Sequence, residues 1–472
     1  MELISILISL GLLMYLAYRG MSVLILAPTM ALLAVIFSGN LSEILPIYTQ
    51  VFMKAMGGYL IQYFPLFLLG SIFGKLMESS GYALAIANGI TEKLGPQRAL
   101  LAVVLACAIL TYGGVSLFVV AFMMYPIGKS LFERAHISIN LLPGAIALGA
   151  FTFTMTALPG TPSVQNSIPS PFFGTDSFAA PGLGLIASCM MLGLGVWWLN
   201  RQRHKLQRSA PHQIQLLQSD SNTPPQLLET TSTSSGIAFT SALIPIALMG
   251  LTNLLTAKVL LPMWQPDFIS NDRFGISSLT PLTGIWAIII ALSIGILYIY
   301  AIQVLGYRQF TKANEAVNQG SLGSMLPILN TASEVGYGSV IASLSGFLII
   351  REFVLSIAPG NPLISEAVAV NVLAGITGSA SGGLSIALQT LGADYLAKAT
   401  LLGINPELLH RIAVMASGCM DTLPHNGAVI TLLGICNLTH RSAYRYIAMV
   451  TVVFPLLTLI FILFLATLFG SF

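Results

Sequence analysis

The sequence predicts an all-α polytopic membrane protein: two inverted-topology repeats, about ten transmembrane helices, two re-entrant helical hairpins and two helices broken at the bilayer midplane. Three observations predict it. The chain is 55% hydrophobic and only 8% charged, with a mean hydropathy of +0.84, whereas soluble domains carry about 25% charged residues. Two apolar stretches are interrupted, by T-A-L-P-G-T-P-S-V-Q-N at Thr156 to Asn166 and by D-T-L-P-H-N-G at Asp421 to Gly427. Landmarks then recur at a near-constant interval: Pro65 and Pro327 are 262 residues apart, Gly114 and Gly382 268, Leu158-Pro159 and Leu423-Pro424 265.

Runs of about 20 apolar residues mark membrane spans. In the first half, residues 1–200, they fall near 2–19, 22–39, 58–77, 141–170 (broken) and 182–200. The first run follows Met1-Glu2 with no basic lead-in or cleavage site, so it is expected to be a retained span rather than a signal peptide. Residues 201–235 open with R-Q-R-H-K-L-Q-R and continue through Gln, Ser, Thr and Pro, the composition of a solvated cytoplasmic linker. In the second half, residues 236–472, spans are expected near 236–257, 282–304, 323–350, 407–436 (broken) and 444–470. One further apolar stretch lies in each half, at 99–131 and 364–393, interrupted by Y-G-G-V-S and T-G-S-A-S-G-G-L-S. Arms of about 10 to 14 residues are too short to cross, so both read as hairpins turning at mid-membrane. Each half then has an odd number of crossings, which inverts the second relative to the first, a pattern of secondary transporters.

Charge supports this topology. With the linker cytoplasmic and both termini outside, only Lys54, Lys258, Arg273, Arg351, Lys398 and Arg411 of the 20 Lys and Arg residues fall outside, as the positive-inside rule requires. A net charge of +3 and a short basic cluster argue against nucleic acid. The four cysteines are scattered singly, with neither a disulfide framework nor a zinc spacing.

Proline and glycine free backbone groups that hydrocarbon cannot satisfy, so breaks at this depth mark a hydrated or protein-lined site. Helix N-termini aimed at one spot suit a carboxylate without any buried arginine. The candidate contacts are Gly113, Gly114, Ser116, Thr156, Gly160, Thr161, Ser163 and Asn166 in the first half. Their counterparts are Ser379, Ser381, Gly382, Gly383, Ser385, Thr422 and Asn426. Any single Ser or Thr among them serves equally well as a partner for broken backbone. Ionisable residues at depth cost roughly 2.5 to 3.5 kcal/mol each on insertion scales, and three stand out as candidate proton carriers: Asp421, His425 and Glu334. Asp421 and His425 are four apart, a carboxylate beside an imidazole. Their plainer readings are a helix cap for Asp421, a neutral hydrogen-bonding side chain for His425 and a solvated vestibule for Glu334. Glu366 and Asp394 flank the second hairpin and are expected in external loops.

The strings T-Y-G-G-V-S-L-F-V-V, G-A-F-T-F-T-M-T-A-L-P-G-T-P, N-T-A-S-E-V-G-Y-G-S-V-I-A-S-L and M-D-T-L-P-H-N-G-A-V-I-T-L-L resemble the gluconate permease family of the ion-transporter superfamily. The resemblance covers nearly the whole chain outside the linker. It implies proton symport of a small hydroxy-acid anion, of gluconate or 3-hydroxybutyrate type, across the cell inner membrane. It further implies a homodimer whose hairpins and broken spans move against a fixed scaffold, with no cofactor beyond the coupling ion.

Three other readings remain at this level. Sodium could replace the proton, because unwound carbonyls and Ser, Thr or Asn side chains also build sodium sites. The S-A-S-G at Ser379 to Gly382 with His425 on a later span resembles the serine and histidine of an intramembrane protease, with Ser381 as nucleophile. A matched second hairpin and second break are not needed for that chemistry. A channel is the third reading, and it would lack counterflow exchange.

Overall fold

The computed structural model of the 472-residue chain is all-helical, with no strand among the described residues. These are all residues except 1, 20, 210–236, 265, 267, 268, 270, 275–277, 425 and 472. The first half runs α1 (Glu2–Tyr18), α2 (Val23–Phe37), α3 (Leu41–Ser79), α4 (Tyr82–Leu94), α5 (Ala99–Tyr112), α6 (Leu117–Arg134), α7 (Leu142–Ala150) and α8 (Pro181–Ser209). The second runs α9 (Phe239–Met263), α10 (Thr280–Gly306), α11 (Phe310–Ser343), α12 (Gly346–Ser356), α13 (Pro362–Thr377), α14 (Ala380–Leu401), α15 (Pro406–Ser417), α16 (Gly427–Ile435) and α17 (His440–Phe469). Among the described residues, six helices are long and apolar enough to cross a membrane, or up to eight if each sharply bent pair is one span. That is fewer than the ten expected. Helices α1 and α2 have only 17 and 15 residues, and the helices around the second break are shorter still.

Two helices escape a search for apolar runs. Helix α4 joins α5 through a bend of 102°, and α12 follows α11 through a bend of 96°. Both are amphipathic, α4 carrying Glu92 and Lys93 and α12 carrying Arg351 and Glu352, so neither forms a continuous apolar stretch. The long helices are also longer than expected. Helix α3 begins at Leu41 rather than near 58, and α11 begins at Phe310 rather than near 323. Their polar first turns (S-E, T-K-A-N-E) are invisible to hydropathy but still form helix.

Three hairpin arms differ from expectation in the same way. The first arm, α5, has the expected length at 14 residues, but α6, α13 and α14 span 18, 16 and 22, because helix continues through charged positions such as Lys129, Glu366 and Asp394. Gly114 and Gly378 turn the two hairpins at φ of +78° and +63°, a region that L side chains rarely adopt.

The two breaks are unlike each other. The first helix stops at Ala150, makes one turn at Phe153–Thr156, and leaves the chain irregular until α8, apart from a turn at Ser170–Phe173. The second stops at Ser417 and resumes at Gly427. The basic run at 201–208, expected to open the linker, instead continues α8 to Ser209. Its Arg, Gln, Lys and Leu are good helix formers. The rest of the expected linker, 210–235, lies outside the described residues.

The two long helices α3 and α11 make the most extensive helix pairing in the molecule. Hairpin α13–α14 packs against α11 through α14 and against α15. Helix α16 lies on α6, and the turn at Ser170–Phe173 lies on α14. Each break thus touches the hairpin of the opposite half.

Candidate functional site

At the first break the freed backbone carbonyls find donors from three helices and from the break itself, as they must where hydrocarbon offers none. The Tyr112 hydroxyl donates to Pro159 O at 3.2 Å, tying hairpin α5–α6 to the break. Asn253 on α9 donates to Gly160 O at 3.1 Å. The Gly160 N–H donates to Ser177 O at 2.8 Å. The main partner is Arg411 on α15, counted among the outer-side charges of the sequence but fully buried here. Its guanidinium donates to Ala179 O at 2.8 and 2.9 Å, to Ser177 O at 3.2 Å, to Thr156 O at 3.3 Å and to the Asn166 amide oxygen at 3.2 Å. A buried arginine is therefore part of this site after all, spent on peptide carbonyls. The expectation failed because α15 is short, so Arg411 looks terminal in sequence while tertiary packing encloses it.

This network fixes the atoms of Asn166 and His410. Asn166 Nδ2 donates to Thr161 O at 3.1 Å and Ser177 O at 2.9 Å, so its Oδ1 is the acceptor facing Arg411. His410 Nε2 lies 3.3 Å from that oxygen and must donate to it. The Nδ1 atom then faces the Thr175 hydroxyl at 2.7 Å. Sequence reasoning named neither Arg411 nor His410 as a site residue. Their only sequence signal was a pair of basic residues inside an apolar segment. Asn166, a candidate contact, has its whole amide engaged within the protein.

Other first-half candidates are divided. Ser163 Oγ donates to Met155 O at 2.7 Å and Thr156 Oγ1 to Thr152 O at 3.1 Å, while the buried Thr161 hydroxyl has no partner. Gly113 packs against Ile246, and Gly114 against Phe73, Pro162 and Leu292. Ser116 at the hairpin tip is exposed. Beside the break lie an apolar cavity of about 480 Å³ lined by Tyr112, Leu158, Pro159 and Ile246, and a cavity of about 620 Å³ lined by Thr175, Thr280 and the Lys258–Asp176 ion pair.

At the second break, Asn426 caps α16 by accepting the Val429 N–H at 2.9 Å, and its Nδ2 donates to Gly378 O at 2.7 Å. One side chain therefore starts the helix and fastens it to the hairpin turn. Asp421 is not the cap. It is buried with Oδ1 unpartnered. Thr422 Oγ1 donates to Thr451 at 2.7 Å, and the Thr422 carbonyl accepts from the Tyr444 hydroxyl at 3.2 Å. His440 Nε2 donates to Pro424 O at 3.0 Å. His425 lies outside the described residues, and so does the expected Asp421–His425 pair.

At hairpin α13–α14, Ser379 caps α14 by accepting the Gly382 N–H at 3.1 Å. Ser381 Oγ lies 3.4 Å from Thr331 Oγ1 on α11. Gly383 packs on the Leu373–Ala374 backbone of the opposing arm. Glu334, expected in a vestibule or at depth, is buried on α11 against Gly382. Glu366, expected in an external loop, is fully buried on α13, while Asp394 pairs with Arg351 at 2.7 Å. The loop expectation for Glu366 failed because α13 begins at Pro362, capped by Asn361. The two breaks meet where Gly418 packs against the Thr156 methyl.

Broken helices, hairpins reaching each break and buried acids between them define a membrane transporter. The chain matches the GntP family permeases over residues 1–468 and belongs to that family. It is 45% identical over 461 residues to "Uncharacterized transporter YxjC" of Bacillus subtilis (strain 168), covering 96% of each chain. Its fold is similar to that of the YdaH transporter of Alcanivorax borkumensis, whose crystal structure was described as having an unusual topology. That likeness has a TM-score of 0.51 at 15% identity, covering 90% of this chain and 88% of that one. A permease is not a hydrolase, so the protease reading of Ser381 and His425 falls away.

Proposed function

We propose that this permease is a secondary active transporter that brings a small hydroxy-carboxylate anion, of gluconate or 3-hydroxybutyrate type, into the cell together with a proton. The observation that carries it is that the two breaks meet at Gly418 and Thr156 and the second is tied to a hairpin turn at Gly378, while these elements and the helix beside them carry Thr161, Asp421, Glu334 and Ser385 buried with unpartnered oxygens. Substrate oxygens would meet the polar groups of the breaks and hairpin turns, with Gly113, Gly114, Ser116, Thr156, Gly160, Thr161 and Ser163 on one side. Ser379, Ser381, Gly382, Gly383, Ser385, Thr422 and Asn426 lie on the other. Where a side chain already caps or braces the backbone, as Asn166, Ser379 and Asn426 do, its role is to shape the site.

The order of elements in the two halves supports inverted repeats at 1–200 and 236–472 joined by a cytoplasmic linker. Three helices, a bent or flanking helix, a hairpin, a break and a closing helix follow in both. The excess of Lys and Arg on the linker side supports an inner membrane with both termini outside. A homodimer follows from the family resemblance.

Coupling has an energetic reason. Moving one negative charge inward against 100 mV costs about 2.3 kcal/mol, and one proton cancels that charge. The coupling group is drawn from Asp421, His425 and Glu334. The test is uptake of labelled hydroxy acids into proteoliposomes with pH and sodium gradients imposed separately. A proton gradient alone should drive accumulation, and preloaded vesicles should show accelerated exchange. Accumulation driven only by sodium would overturn the proton assignment, and flux without counterflow would indicate a channel.

A further inference from the structure

Three buried oxygens without partners lie on three different helices around the second hairpin. Glu334 on α11 is 5% exposed, Tyr59 on α3 is 1% exposed and Ser385 on α14 is 1% exposed. Glu334 Oε2, Tyr59 Oη and Ser385 Oγ are all without a hydrogen-bond partner. The Tyr59 hydroxyl is within electrostatic reach of Ser385 and Glu334. The floor is bare backbone: a Cβ added at Gly382 would lie 1.8 Å from Glu334 Oε2. Glycine at 382 is therefore a steric condition for the carboxyl group to occupy this position.

We propose that Glu334, Tyr59 and Ser385, seated on Gly382, form the proton-binding notch of the permease, shared between the long helix of the first half and the hairpin of the second. This rests on the symport reading and assigns its coupling group. The chemistry suits both states of the acid. Deprotonated, the carboxylate accepts the hydroxyl hydrogens of Tyr59 and Ser385; protonated, its O–H donates to either hydroxyl oxygen. No fixed cation competes for the role. From α3 the groups facing the notch are Tyr59 and Tyr63, while Lys54 is exposed and Lys75 pairs with Glu78. Helix α2, which also packs on α11, has no titratable side chain. The hairpin presents the Ser379 and Ser381 hydroxyls. Its charged residues, Asp394 and Lys398, lie about 13 Å or more along α14 from Ser385 at 1.5 Å per residue, and Asp394 is held by Arg351.

An unpaired buried carboxylate is costly, so an empty notch favours either proton capture or separation of the hairpin from α3. Proton binding and hairpin position are thereby linked.

The test uses the full chain in proteoliposomes with two transport readouts, pH-driven accumulation and counterflow exchange at equal pH. It adds one substrate-independent readout, the infrared carboxyl band that changes with pH. Glu334→Gln should lose pH-driven accumulation and that band while keeping counterflow. Tyr59→Phe should shift the band and the pH dependence of uptake. Gly382→Ala should lose accumulation, and Gly382→Ala with Glu334→Asp, one methylene shorter, should regain part of it. The proposal is overturned if Glu334→Gln accumulates substrate like the parent chain, if the band persists in it, or if Gly382→Ala alone behaves like the parent. If the parent carries no hydroxy acid, the substrate reading fails while the infrared result still decides the notch.

Discussion

Arg411 is the residue whose role changes most between sequence and structure. Five hydrogen bonds join it to carbonyls and one amide oxygen of the first break, across 232 to 255 residues of chain. A buried acceptor left without a donor costs about 1–3 kcal/mol. Arg411→Ala should therefore destabilise the protein by at least about 2–3 kcal/mol, read as a lower unfolding temperature in detergent. Arg411→Lys should recover little, because an ammonium cannot reproduce the planar fork. Asp421 belongs to the same scale. Its free Oδ1 sits beside the second break, so Asp421→Asn, nearly isosteric, should leave stability almost unchanged and weaken uptake. Uptake equal to the parent would remove Asp421 from the site.

At the scale of elements, the second break is a helix start tied to a hairpin turn by Asn426. Asn426→Ala removes an N-cap worth about 1 kcal/mol and the bond to Gly378 O. It should lower substrate affinity as well as stability. Asn405→Ala, which removes the cap of α15 by loss of the Glu407 N–H bond, should lower stability alone. Substrate titration by thermal shift distinguishes the two. The hairpins and both breaks were legible in sequence because proline, glycine and serine interrupt apolar runs there. Helices α4 and α12 were not, because a helix with one polar face never forms a continuous apolar run. The same limit hid the outer turns of α3, α11, α6 and α14.

At the scale of the molecule, α3 and α11 form the central pairing while each break contacts the hairpin of the other half. One proton per monovalent anion makes the cycle electroneutral. Clamping the membrane potential with valinomycin and potassium should leave pH-driven uptake of a monovalent hydroxy acid unchanged. Uptake that rises with an inside-negative potential would indicate a second proton per cycle. External acidification should raise the uptake rate, since the proton must be bound on the side from which substrate enters.

The sequence alone determined the membrane class, the family and the positions of the two breaks and hairpins, and it singled out Glu334 and Asp421, which are buried. These rest on local properties: apolar run length, the conformational demands of proline and glycine, and the cost of charge in hydrocarbon. Tertiary structure alone decided that Arg411 braces the first break and that Gly382 leaves room for the Glu334 carboxyl group. Those contacts join helices hundreds of residues apart, and no local pattern encodes which distant oxygen a buried donor will meet.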